Sequence, residues 1–178
     1  MIFTKLALPE VILITPSVFS DDRGFFIESY HQEKFAQGGI LDTFVQDNHS
    51  KSVQGTLRGL HYQRPPHDQA KLVRCTQGEV LDVAVDIRPN SPTYGKWVSQ
   101  VLSADSKNMM YIPSTFAHGF YVLSETAEIQ YKCSKPYAPT CEGSIRWNDP
   151  TLNIEWQLLP GITPLLSKKD EAAPLFTP

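Results

Sequence analysis

The ten residues EVLDVAVDIR, positions 79–88, constrain the fold more than any other stretch. Their alternation sends Val80, Asp82, Ala84 and Asp86 to one face of a strand, and Leu81, Val83, Val85 and Ile87 to the other. The segment around them reads as the core of a buried β-sheet. Yet residues 57–88 also carry Arg58, His61, Lys71, Arg74 and Asp82. Five ionisable groups in one such sheet are unfavourable unless they have a task.

The rest of the chain extends the β reading. Its 14 prolines and 10 glycines are spread along the length rather than pooled, so turns separate many short β-rich runs. That pattern predicts a mainly β sandwich or barrel. The expected strands are 11–15, 25–28, 43–48, 57–63, 71–75, 79–88, 97–102, 109–112, 119–122, 128–134 and 143–147. One helix is expected in YHQEKFAQ, with Ser29 and Gln32 as a capping box and Gly38-Gly39 as its end. A second short turn starts at Ser167, with Asp170 at its third position. RPNSPTYG and KPYAPTCEG read as loops. There is no repeat, linker or low-complexity segment, and 178 residues suit one domain, 1–178.

Composition excludes several classes of function. The net charge of −3 supplies no global field for nucleic acid, so an anionic ligand must be held by local cations. Apolar runs fall far short of a membrane span, and the N-terminus lacks the pattern of a signal peptide. The cysteines Cys75, Cys133 and Cys141 form no CxxC pair, which suggests free thiols in a reducing, cytoplasmic setting.

The chemistry centres on His61. Taken alone, a histidine in a strand is more often structural than catalytic. This one has Gly59 beside it, with Arg58, Gln63 and Lys71 close by. Further along, IPSTFAHGF resembles the second motif of the cupin superfamily. The first cupin motif, an HxH pair followed by Glu and then Gly, is matched by His61-Tyr62-Gln63, Lys71 and Gly78. Two metal ligands are thus replaced, by Gln63 and Lys71, and an ammonium repels a divalent cation. No metal and no cofactor is expected. A lysine ammonium can instead stabilise an enolate oxygen, while a neutral imidazole takes a proton from carbon beside a ketone. An epimerase also needs an acid on the opposite face. Tyr131 and Tyr137 are the candidates, and the strand residue Tyr131 is the better fixed. Asp82, Asp86 and Asp170 could each orient the base, and the residues alone do not choose among them. Arg23 and Arg58 suit a phosphate. FVQDNHSKS supplies Gln46, Asn48 and His49, which can read a base or sugar edge.

Together the stretches DDRGFFIESY, FVQDNHSKS, LRGLHYQ, DVAVDIRPNSPTYGKW, IPSTFAHGF, YKCSKPY, IRWNDP and LLSKKD resemble the dTDP-4-dehydrorhamnose 3,5-epimerase family over nearly the whole chain. The resemblance implies a double-stranded β-helix (cupin) jelly roll with a few short helices. Its core would span about 43–148, with the terminal segments completing the site. It implies a cytoplasmic homodimer and a cofactor-independent isomerase of rhamnose biosynthesis for cell-surface polysaccharide. The substrate would be dTDP-4-dehydro-6-deoxy-D-glucose, inverted at C3 and C5. A mono-epimerase of a related sugar, a metal-dependent cupin and a non-catalytic binding protein are the competing readings. By the resemblance, the base is His61, its carboxylate partner Asp170, the acid Tyr131 and the enolate cation Lys71. Ligand contacts fall on Arg23, Phe26, Glu28, Gln46, Asp47, Asn48, Arg58, His118, Tyr137, Glu142 and Lys169.

Overall fold

A computed structural model describes residues 1–177. In chain order it contains β1 (Ile2–Lys5), β2 (Ile12–Thr15), β3 (Val18–Asp21), β4 (Gly24–Ile27), α1 (Gln32–Gln37), β5 (Gln46–Val53), β6 (Leu57–Gln63) and β7 (Lys71–Gln77). There follow β8 (Glu79–Asp86), β9 (Trp97–Ser103), β10 (Met109–Ile112), β11 (Phe116–Val122), β12 (Thr126–Cys133), a 3-10 turn (Pro139–Cys141), β13 (Glu142–Ser144) and α2 (Lys168–Glu171). Six strands form one sheet in the order β1-β2-β10-β7-β12-β5, and five form a second in the order β13-β6-β11-β8-β9. All strand pairs are antiparallel, and β3 and β4 form a separate hairpin. The result is the mainly β jelly roll expected from the sequence.

Packing explains why β8 is buried along nearly its whole length. Its Val80 and Ala84 meet Val73, Met110, Ile112 and Ile129 of the six-stranded sheet. Its Leu81, Val83 and Val85 meet Leu152, Trp156 and Phe176 of the C-terminal segment. That segment is a cover laid over the outer face of the five-stranded sheet. A third cluster sets Phe35 and Ile40 against the outer face of the six-stranded sheet, at Ile12, Ile14, Leu72 and Met109.

Several local expectations change: the strand expected at 143–147 ends at Ser144, and the one expected at 119–122 begins at Phe116. Strands β1 and β3 were not foreseen, because they are short and carry no clean in–out alternation; all of β3 is exposed. Helix α1 begins after His31, with no side-chain cap, so Ser29 does not cap it. Burial of Phe35, 1% exposed, outweighs the missing cap: about 2–3 kcal/mol against about 1 kcal/mol. The strand expected at 43–48 instead runs from Gln46 to Val53, continuing to the turn at Gly55.

Candidate active site

The register between β6 and β11 builds the site. His61 pairs with His118 and Arg58 with Phe120, so Gly59 and Leu60 together face the single Gly119. This extra residue breaks the alternation of β6. Leu57 and Leu60 both point to the C-terminal cover, while Arg58 and His61 both point between the sheets, the side shared by their partners Phe120 and His118. Strict alternation would put Arg58 and His61, three residues apart, on opposite faces. The bulge requires glycine: Gly59 has φ +136°, and a Cβ there would lie 2.5 Å from Gly119 Cα.

His61 Nε2 lies 2.5 Å from Asp170 Oδ1. The carboxylate comes from α2, 109 residues further along the chain. Asp170 is also held by its cap: Ser167 Oγ accepts from the Asp170 backbone N–H at 3.1 Å and donates to Oδ2 at 2.8 Å. Asp170 therefore both takes part in the cap of α2 and hydrogen-bonds the ring of His61. Burial disfavours its charge, but the hydrogen bond from His61, with Ser167 and Lys169, holds its pKa below the usual value. Asp82 and Asp86 bond other groups and not His61. Asp82 Oδ1 sits 2.5 Å from Nε2 of buried His118, and burial lowers the pKa of that histidine. Asp86 binds Arg88, Ser91 and Thr93.

The facing sheet supplies the other half. On β7 and β12, Lys71 pairs with Cys133, and Val73 with Tyr131, which sets Lys71 and Tyr131 on the inner face with Val73 and Ile129. On β5 the even-numbered residues turn in and the odd-numbered turn out. Gln46, Asn48, His61, Lys71, Tyr131, Tyr137 and Glu142 share one cavity of about 280 Å³ with Tyr62, Gln63 and Gln69. Burial lowers the Lys71 pKa, opposed by Cys133, Asp82 and Glu142. Burial raises that of Tyr131. Tyr137 Oη donates to Glu142 Oε2 at 3.0 Å, and Lys169 pairs with Glu142 Oε1.

Other expected contacts lie outside this cavity. Arg58 Nε donates to Ser52 Oγ at 3.1 Å, joining the two sheets beside the site. Asp47 points to the opposite face of β5, where it pairs with Lys132 at 2.8 Å. Arg23, Phe26 and Glu28 belong to the hairpin region: Arg23 binds Asp21, Phe26 is 67% exposed, and Glu28 binds Lys34. Sequence reasoning gave no role to Gln69. It precedes β7 in a loop with no periodicity to betray which way it faces.

The architecture has close counterparts among known proteins. The family model for dTDP-4-dehydrorhamnose 3,5-epimerase matches residues 5–177. The chain is 56% identical over 177 residues to the dTDP-4-dehydrorhamnose 3,5-epimerase of Salmonella typhimurium, covering 99% of this chain and 96% of that protein. It is 56% identical over 174 residues to the enzyme of the same name from Pseudomonas aeruginosa, covering 97% and 94%. A solved structure of dTDP-6-deoxy-D-glucose-3,5-epimerase from Legionella pneumophila, in complex with dTDP-4-keto-L-rhamnose, superposes with a TM-score of 0.93 at 49% identity, covering 97% of this chain and 91% of that one. Likeness of this extent, along nearly the full length of each partner, places the chain in the dTDP-4-dehydrorhamnose 3,5-epimerase family.

Proposed function

We propose that His61 is the base, Lys71 the enolate-stabilising cation and Tyr131 the acid of an epimerase that converts dTDP-4-dehydro-6-deoxy-D-glucose to dTDP-4-dehydro-L-rhamnose. One observation carries this assignment. His61 and Tyr131 come from facing sheets onto one cavity, and Lys71 opens into the same space. C3 and C5 both flank the C4 ketone, so removing a proton from either gives an enolate with its charge on O4. Asp170 accepts a hydrogen bond from one ring nitrogen of His61 and leaves the lone pair of the other free as base. It also stabilises the imidazolium formed when the proton arrives. The Lys71 ammonium, screened from bulk water by the sheets, stabilises the oxyanion. Tyr131, its proton retained by burial, returns a proton from the opposite side. No step calls for a cofactor.

Gln46, Asn48, Tyr137, Glu142, Arg58, His118 and Lys169 bind the sugar nucleotide in this scheme. The core of about 43–148 is completed by the C-terminal segment that delivers Asp170. Arg23, Phe26 and Glu28 act on a second subunit. The hairpin exposes Phe19, Phe25 and Phe26, a surface that association would cover. A homodimer follows, and a monomer mass in sedimentation at micromolar concentration would refute it. A cytosolic place, making rhamnose for cell-surface polysaccharide, fits the three free cysteines and the lack, among the described residues, of any helix long and apolar enough to cross a membrane.

The decisive experiment follows the 4-keto sugar nucleotide in D2O by NMR. Deuterium at both C3 and C5 is expected, and label at one carbon alone would refute the double inversion. His61→Ala and Lys71→Ala should each abolish exchange while keeping nucleotide affinity within about tenfold, ~1.4 kcal/mol.

A further inference from the structure

Gln63 stands where the cupin pattern has a metal ligand, and its amide is fully committed to something else. The residue is 5% exposed. Its Oε1 accepts from the backbone N–H of Ala138 at 2.8 Å. Its Nε2 donates to the carbonyl of His67 at 2.5 Å, with the carbonyl of Pro136 at 3.5 Å. All three partners are main-chain groups of the two loops at the cavity mouth.

Segment 134–138, which leaves β12 and carries Tyr137, is held at its root by glutamines. Gln69 Nε2 donates to Lys135 O at 2.7 Å, and Gln46 Oε1 accepts from the Tyr137 N–H at 2.9 Å. Tyr137 itself is 54% exposed, so packing does little to orient it. Of the three glutamines, Gln63 lies on β6, two residues beyond His61, and so ties the tyrosine loop to the strand that bears the base.

We propose that Gln63 is a positioning residue for sugar-nucleotide binding, which fixes the Tyr137 loop over the cavity in register with His61. This rests on the assignment of Tyr137 as a wall of the ligand site. The chemistry of the position selects an amide. The Ala138 N–H needs an acceptor and the His67 carbonyl needs a donor, and a neutral amide offers both from one planar group. A carboxylate accepts but cannot donate, and it would face the carbonyl oxygens of His67 and Pro136 across short gaps.

The test measures dTDP affinity by calorimetry and steady-state turnover of the 4-keto sugar nucleotide, for Gln63→Ala, Tyr137→Ala and the double variant. Gln63→Ala should weaken dTDP binding and raise KM about tenfold, with kcat reduced less than threefold. The double variant should bind no more weakly than Tyr137→Ala alone, because both changes remove the same wall. Gln63→Glu preserves volume and carries the test should Gln63→Ala fail to fold. Burial against the carbonyl oxygens of His67 and Pro136 pushes the pKa of the new carboxyl up, so its affinity, relative to the parent at the same pH, should recover as the buffer is acidified and the carboxyl regains a proton to donate. Normal binding by Tyr137→Ala overturns the role of that tyrosine and this proposal with it. Weak binding by Tyr137→Ala, combined with normal binding by both Gln63 variants or with additive losses in the double variant, overturns the proposal for Gln63 alone.

Discussion

Replacing Asp170 with asparagine separates the two duties that the structure gives this residue. The side chain is almost fully buried, 3% exposed, with one oxygen 2.5 Å from His61 Nε2 and the other held by Ser167. Asparagine has nearly the same volume, and the backbone N–H of residue 170 still donates to Ser167, so α2 keeps its cap. What disappears is the negative charge beside the imidazole. A hydrogen bond to a charged group contributes about 1.5–3 kcal/mol, and that support is strongest when His61 becomes an imidazolium. At 1.36 kcal/mol per decade this alone slows proton abstraction by about 10- to 150-fold. If the amide nitrogen turns toward the ring, the tautomer is also wrong, a change that costs about 10⁴ in a serine-protease triad. The expected fall in deuterium incorporation at C3 and C5 is therefore on the order of 10²–10³, under single-turnover conditions in D2O. Affinity for dTDP should stay within about threefold, since Asp170 lies behind His61 and not on the cavity wall. Exchange within threefold of the parent would show that Asp170 does no more than cap its helix.

Two further outcomes concern the scaffold. Gly59→Ala should destabilise the protein by about 3 kcal/mol or more, from the positive φ and the clash with Gly119, lowering Tm by roughly 6–12 °C in calorimetry; an unchanged Tm would mean that β6 does not need its bulge. Asp86 is fully buried and, although burial works against its charge, hydrogen bonds from Arg88, Ser91 and Thr93 hold its pKa well below the carboxylate range. A depressed folded-state value gives stability that is fully present above the unfolded pKa, about 3.9, and fades as pH falls below it. Asp86→Asn should thus lower stability at neutral pH by about 2–3 kcal/mol. Its denaturation midpoint should change less than the parent's on acidification below about pH 4, and parallel acid profiles would sink this account.

The β character of the chain was legible because strand alternation and turn residues are local signals. The strand read at 79–88 alternates as expected as far as Asp86, where it ends, and both of its faces are covered. Strands 57–63 and 109–112 have the expected bounds. The helix cap at Ser167 was equally local, a serine and an aspartate three residues apart. Where burial gave no pattern, as in the fully exposed β3, the strand went unseen.

The chemical types that the proposed mechanism uses are written in the sequence: an imidazole, an amine standing where a metal ligand would be, a phenol and a carboxylate. Their meeting is a property of the tertiary fold. Asp170 was one of three aspartates the residues could not rank, and only the C-terminal cover folding back over the five-stranded sheet brings it to His61. Arg58 and His61 share a face only because β6 carries one residue more than β11 beside it. Asp47 turns away from its neighbours Gln46 and Asn48 for the opposite reason, since β5 keeps strict alternation. Sequence periodicity reports which way a side chain points relative to its neighbours; which sheet faces which, and where a register slips, depends on long-range pairing that no local pattern encodes.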